Sequence, residues 1–380
     1  MILTNARIVF PDAVRDGLDV VCDDGTISGI RPRNGSQAAD SIDLAGNYLV
    51  PGFIDLHLHG AMGRDAMEAT PEAFRAICDH HATGGTTSLL LTTATAPLAE
   101  IVNVLRAVRE CRAEFPQIAG VHVEGPFISP ERAGAQRREF IVNPDPTSVA
   151  QLVEYADVVK RVTLAPELPG AWEAIGRFRA AGIAVSGGHS NAWDDEARVA
   201  FERGMRHTTH TFNCMSSVRR REGERVAGLL EYALSEPEIS CELIADGHHV
   251  STTLMKMLYR AKRAEGICLV TDATAGAGLP DGSMFLLGGR DCVASEGTCW
   301  VSDRSALAGS AARMIDLIRV LVTSVGVPLH EAIGMATANP ARALGISTKG
   351  RLAVGADADF VVLSPELEVR QTFVAEKRVF

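Results

Sequence analysis

The chain has 380 residues, 46% of them hydrophobic and 22% charged, with a formal net charge of −10. That length can bury more than one ordinary core, and the acidic balance argues against broad nucleic-acid binding while leaving room for a local basic pocket. Its eight cysteines form no C-x-x-C pair, which argues against a zinc ribbon or a redox motif and reads as free thiols of a reducing compartment.

The N-terminal "MILTNARIVFPD" lacks a basic n-region and a long apolar run, and no uninterrupted apolar stretch approaches membrane-spanning length. The expectation is a cytoplasmic protein with neither a membrane nor a nucleic-acid partner. Residues 1–49 hold short alternating runs, "ARIVF", "LDVVCDDGTISGI" and "SIDLAG", separated by Asp-Gly and Asn-Gly turn signals. Eight β-rich runs follow: "YLVPGFIDLH" (48–57), "TTSLLLTT" (86–93), "QIAGVHVE" (117–124), "RVTLAPE" (161–167), "GIAVSGG" (182–188), "MRHTTH" (205–210), "SCELIAD" (240–246) and "GICLVTD" (266–272). Between them lie amphipathic stretches such as "TPEAFRAICDHHATGG" and "STTLMKMLYRAKRAEG", which open on Thr or Ser and close at Gly as capped helices do. Residues 280–310 read as a hairpin inserted after the last of these strands. Residues 346–380, "GRLAVGADADFVVLS" and "EVRQTFVAEKRVF" among them, are strand-like again. Eight evenly spaced strands alternating with helices predict an α/β fold, a (β/α)8 TIM barrel over 50–345, in preference to a doubly wound open sheet. Residues 1–49 and 346–380 are too short to bury separate cores and are expected to form one small β-sandwich domain together.

The polar residues fall where such a barrel builds its active site. His57 and His59 end the first strand and, two residues apart in an extended chain, share a face with Asp55. Glu124 ends the third, His189 follows the fifth, His210 ends the sixth, His248 and His249 follow the seventh, and Asp272 ends the eighth. All converge on the C-terminal face of the barrel. Histidines with one or two carboxylates suit a divalent metal, zinc first, with iron, cobalt or manganese also compatible. A carboxylate beside a metal-activated water, here Asp272, can accept its proton and later return it to a leaving group. His122 reads as core or as support for a ligand, and His80, His81, His207 and His330 as structural. With no G-x-S-x-G elbow, no cysteine placed beside a histidine, and no Walker or G-x-G-x-x-G loop, metal-assisted hydrolysis is the leading class.

The motifs "PGFIDLHLHG", "HVEGPF", "VTLAPE", "SGGHSNA", "THTFNCM", "ADGHHV", "LVTDAT" and "LAGS" occur in this order, and the chain resembles the N-acetylglucosamine-6-phosphate deacetylases of the amidohydrolase superfamily over nearly its whole length. The resemblance implies removal of the acetyl group from N-acetylglucosamine 6-phosphate, giving glucosamine 6-phosphate and acetate by attack of a metal-bound hydroxide. It implies that Glu124, His189 and His210 hold the main metal. His57 and His59, with Glu124 bridging, would hold a second, making one or two ions per subunit. Asp272 would be the general base and then the acid. Asn213, the backbone of Cys214, His249 and the loop Leu307, Ala308, Gly309 would contact the substrate, and Arg221 would bind its phosphate. Part of that phosphate site can come from a neighbouring subunit, which implies a homodimer.

Two departures stand out. Gln136 occupies the place of a histidine that polarises the acetamide in many relatives, and glutamine cannot carry a positive charge. "SSVRRREGERVAG" replaces a shorter turn and offers Arg219, Arg220, Arg221 and Arg225. They keep open a second reading, a deacylase of another N-acyl amino sugar or N-acyl amine. A cyclic-amide hydrolase using a carboxylated lysine fits less well, because "RVTLAPE" has no lysine at its C-terminal end. A catalytically silent sugar-phosphate sensor would not need Asp272 and the full ligand set.

Overall fold

The computed structural model describes residues 1–33 and 40–380; the Asn34-Gly35 turn signal lies outside them. Eight parallel strands form one continuous sheet in sequential order. They are β1 (Phe53–Leu58), β2 (Thr86–Thr93), β3 (Ile118–Glu124), β4 (Val159–Leu164), β5 (Ala184–Gly187), β6 (His207–Thr208), β7 (Ser240–Leu243) and β8 (Ile267–Leu269). A parallel bridge from Leu58 to Ala273 joins the two ends and closes the barrel. Each strand falls on one of the β-rich runs of the sequence, Phe53–Leu58 passing its run by one residue and Val159–Leu164 starting two residues before its own.

A helix follows each strand, and its apolar spacing shows why. In Pro71–Ala82, Phe74, Ile77, Cys78 and His81 are buried on one face, while the Thr70 hydroxyl accepts a hydrogen bond from the Ala73 N–H and caps the first turn. Together the helices and strands bury one large apolar core, each fully buried Leu, Ile or Phe contributing roughly 1.5–3 kcal/mol.

Strands from the two ends of the chain build the sandwich. Ile2–Thr4, Leu18–Asp23, Thr26–Pro32 and Ser41–Asp43 make a four-stranded sheet; a six-stranded sheet joins Arg7–Val9 and Tyr48–Pro51 edge to edge with Phe360–Leu363 and Val369–Val374. Leu3, Ile8, Val20, Ile27, Leu49, Phe360 and Phe373 form the shared core. The first β-rich run is therefore split. Tyr48–Pro51 pairs antiparallel with Phe360–Leu363, so Val50 and Pro51 lie in the sandwich sheet rather than the barrel. Gly52 makes the passage, since a Cβ there would stand 2.1 Å from Thr87 Oγ1. The insert after β8 is a four-stranded antiparallel sheet rather than a hairpin: Met284–Leu287, Arg290–Ser295, Thr298–Val301 and Leu307–Ser310. It has its own small core around Phe285, Cys292 and Cys299.

Candidate active site

Six side chains from five strand ends meet at the C-terminal mouth of the barrel. Glu124 stands at their centre, with one oxygen, Oε1, 3.1 Å from His210 Nε2, 3.2 Å from His189 Nε2 and 3.4 Å from His57 Nε2. Its other oxygen lies 3.3 Å from His59 Nε2. Asp272 Oδ1 is 3.4 Å from both His57 Nε2 and His59 Nε2. The side chains of His57, His59, His189, His210 and Glu124 are all at most 5% exposed, whereas that of Asp272 is 13% exposed, facing the cavity.

The donor atoms fall into two groups of mutual metal-binding reach, His57–His59–Glu124 and Glu124–His189–His210. Two details fit a cation here. His189 Nδ1 donates to the Arg132 carbonyl at 2.8 Å, which leaves Nε2 with its lone pair facing Glu124. The buried Nε2 of His57 has no hydrogen-bond partner. Nitrogen and carboxylate donors of this kind suit zinc and its borderline neighbours. Burial works against charge on His57, His59, Glu124 and Asp272, yet their mutual attraction outweighs it. Beside Glu124 and Asp272, His57 is held well above its ordinary value and His59 is raised to about 9. Next to the imidazoles, Glu124 and Asp272 are held below theirs.

Three of these residues sit in the left-handed region of backbone space, His189 at φ 46°, His210 at φ 28° and Asp272 at φ 49°. Such conformations cost of order 1 kcal/mol or more outside glycine. Hydrogen bonds hold them: the Asp272 N–H donates to the His57 carbonyl and the Ser310 N–H to the Asp272 carbonyl, both at 2.8 Å, while the His189 carbonyl accepts from the Ser129 N–H at 2.8 Å and the His210 carbonyl from the Asn213 N–H at 2.9 Å.

A cavity of about 240 Å³ opens onto Glu124, His59, His189, His210 and Asp272. Of the expected substrate contacts, Gln136, Asn213, Cys214, His249, Leu307 and Gly309 line it. Gln136 does not present a free amide. Its Oε1 accepts from the Thr95 N–H at 2.7 Å, and its Nε2 donates to Glu124 Oε2 at 2.6 Å. His249 is oriented by Asp246 Oδ2, 2.7 Å from its Nδ1, while the neighbouring His248 is exposed.

Two expected residues are not brought to this cavity. Strand alternation turns Ala308 away from Leu307 and Gly309, into the insert's core, where it is fully buried. Arg221 lies on an exposed hairpin formed by Arg219–Arg221 and Glu224–Val226, with its guanidinium 3.2 Å from Asp195. In this hairpin Arg220, Arg221 and Arg225 are exposed, whereas Arg219 turns inward, over the Trp193 ring at 3.6 Å and donating to the Asn191 carbonyl. Sequence reasoning also missed Glu242 on β7 and Arg161 on β4, a fully buried ion pair beneath this cluster. Removing one partner of such a pair costs about 3–5 kcal/mol. Their signal was a charged residue inside a buried barrel strand, Glu242 within "SCEL" and Arg161 beside Lys160 in "VKRVTL". His122, expected as core or support, is buried with Nε2 2.7 Å from Thr163 Oγ1, its ring edge-on to His57.

Comparison with known proteins agrees with this geometry. The amidohydrolase family profile matches residues 48–379. The chain is 34% identical over 382 residues to N-acetylglucosamine-6-phosphate deacetylase of Lysinibacillus sphaericus, covering 99% of this chain and 96% of the relative. It is 33% identical to an N-acetylgalactosamine-6-phosphate deacetylase of Escherichia coli O157:H7, covering 98% and 97%. Among solved structures it superposes, with a TM-score of 0.93 and 31% identity, on an aspartate-to-alanine mutant of the Mycobacterium smegmatis N-acetyl-D-glucosamine-6-phosphate deacetylase in complex with N-acetyl-D-glucosamine-6-phosphate, covering 100% of this chain and 99% of the other.

Proposed function

The chain belongs to the amidohydrolase family, and from that premise we propose that it hydrolyses the acetamide of N-acetylglucosamine 6-phosphate to glucosamine 6-phosphate and acetate. The observation that carries this reading is Glu124, shared by two histidine pairs and facing Asp272 across one cavity. Glu124, His189 and His210 would hold one divalent ion, and His57 and His59, with Glu124, a second; zinc is the assigned metal. A divalent ion in this position lowers the pKa of a water and polarises an acyl oxygen.

Asp272 is the base that takes a proton from the attacking water and hands it to the departing amine nitrogen as the C–N bond breaks. It is the most open of the six groups and a carboxylate held ionised by its imidazole neighbours. Gln136 braces Glu124 through its amide N–H and bounds the cavity. No lysine or arginine lines the cavity among the described residues, so the substrate's phosphate would be met there by His249 and by polar groups of Asn213 and Cys214. The exposed Arg221 is assigned to the phosphate of a neighbouring subunit in a homodimer, and the protein is placed in the cytoplasm.

The relatives' names divide between gluco and galacto sugars. The experiment is therefore acetate release by zinc-loaded protein from N-acetylglucosamine 6-phosphate, N-acetylgalactosamine 6-phosphate and unphosphorylated N-acetylglucosamine. The first is expected to show the highest kcat/KM. Absence of turnover on all three would overturn the reading.

A further inference from the structure

Beneath the ligands, one carboxylate touches both halves of the site. Glu242 Oε2 lies 3.2 Å from His57 Nδ1 and accepts the His210 backbone N–H at 3.0 Å. Its other oxygen, Oε1, is bound by the Arg161 guanidinium. Arg161 is 0% exposed and Glu242 1%, and the Nε and Nη2 atoms of Arg161 have no other partner. The pair therefore has no contact with solvent, and nothing in the proposed reaction uses it. The other titratable rings near it are those of His122 and His207, which are buried and neutral in character.

A neutral imidazole carries one N–H, and an ionised carboxylate can only accept. Against Glu242, His57 must therefore place its proton on Nδ1. Its Nε2 then presents a lone pair toward Glu124 Oε1 and Asp272 Oδ1, each 3.4 Å away. A lone pair aimed at two carboxylates is repulsive unless a cation stands between them. Without Glu242 the ring would gain by placing its proton on Nε2 and donating to Glu124 or Asp272, which would close that position to a metal. We propose that Glu242, clamped by Arg161, is a positioning residue that fixes the tautomer of His57 and so decides whether the His57–His59–Glu124 position can take its ion. The hydrogen bond to the His210 N–H lets the same carboxylate fix the backbone of a ligand to the other position. This rests on the reading that His57 and His59 hold a second ion.

The test is the isosteric Glu242→Gln variant of the full chain. Arg161 needs an acceptor, so the amide oxygen turns toward it and the amide NH2 toward His57 Nδ1, which reverses the tautomer. Long-range 1H–15N correlation on histidine-labelled, metal-free protein, recorded at a pH alkaline enough that His57 carries a single proton, reads this directly, with His57 assigned by its loss in His57→Gln. The wild type is expected to show Nδ1–H and the variant Nε2–H. Zinc titration should show second-site affinity weakened at least tenfold, in the 10–100-fold range typical of lost ligand support, with a smaller loss at the first site, where the His210 N–H loses its acceptor. If Glu242→Gln does not fold, the paired Arg161→Met, Glu242→Leu variant removes both charges and should show the same Nε2–H tautomer. An Nδ1–H tautomer persisting in the folded variant would overturn the proposal. A wild type binding a single zinc would overturn the two-ion reading instead, and the tautomer in metal-free protein would still decide this one.

Discussion

His189 Nε2 and His210 Nε2 stand 3.0 Å apart, with Glu124 Oε1 within 3.2 Å of both. Two ring nitrogens at this separation need either a shared proton or a cation, and the Arg132 carbonyl already takes the Nδ1 proton of His189. Dialysis against a chelator should therefore abolish acetate release, and added zinc should restore it. Because metal binds the native state only, saturation at a thousandfold over Kd should stabilise the protein by about 4 kcal/mol. Differential scanning fluorimetry of chelated and zinc-loaded protein checks this.

The second position has its own signature. The double variant His57→Gln, His59→Asn should lose one of two ions per chain while keeping the Glu124–His189–His210 ion. Elemental analysis after desalting measures it, and two ions retained would contradict the assignment.

For Asp272→Asn the expected outcome is a fall in kcat of about 10²–10⁴, the usual range for a general base, with metal content unchanged. The amide preserves the shape of the carboxylate and removes its capacity to take a proton. A variant keeping most of its kcat would move the base elsewhere.

Arg221→Ala separates phosphate binding from chemistry. Its guanidinium is exposed, paired with Asp195 and 5.3 Å from the centre of the Trp193 ring on its own chain, so a surface role predicts no kinetic effect. If the arginine reaches a neighbouring subunit's substrate, KM for N-acetylglucosamine 6-phosphate should rise about tenfold or more, as for one lost charged contact. Turnover of the unphosphorylated sugar should not change. Sedimentation of the wild type tests the dimer independently.

His81 supplies a pH dependence. It is fully buried, its Nε2–H donates to the Gly60 carbonyl at 3.3 Å, and burial pushes its pKa down to about 3. The unfolded chain protonates first, near pH 6.5, so this stability is complete above that value and is lost as pH falls toward 3. Between pH 7 and pH 5 the metal-free protein should lose about 2 kcal/mol from this residue. Urea midpoints should show a shallower slope in His81→Gln.

The barrel was legible because each of its strands is an apolar run ending in a polar residue, and helical spacing separates the runs. The cluster of histidines and carboxylates at the barrel mouth was legible for the same reason, since strand ends of a barrel share one mouth. What escaped was pairing across the barrel. Arg161 and Glu242 are 81 residues apart, and a charge in "KRVTL" or "SCELI" does not reveal which strand it faces. The break at Gly52 escaped too, because "YLVPGFIDLH" is apolar on both sides of it and only the close approach of Thr87 shows why the chain changes sheets there. Ala308 was misplaced by reading "LAG" as one contact loop, when its strand alternates between the cavity and the insert.

The left-handed backbone at His189, His210 and Asp272 changes how mutagenesis of this site should be interpreted. Alanine at any of the three removes a functional group and also leaves a residue that resists the local turn, so lost function and altered loop geometry arrive together. Asparagine visits that conformation readily, and an Asn series would vary the side chain while leaving the turn intact. Glycine would do the reverse, releasing the turn along with the side chain. Differences between the two series, position by position, would separate what the chemistry needs from what the path of the chain enforces.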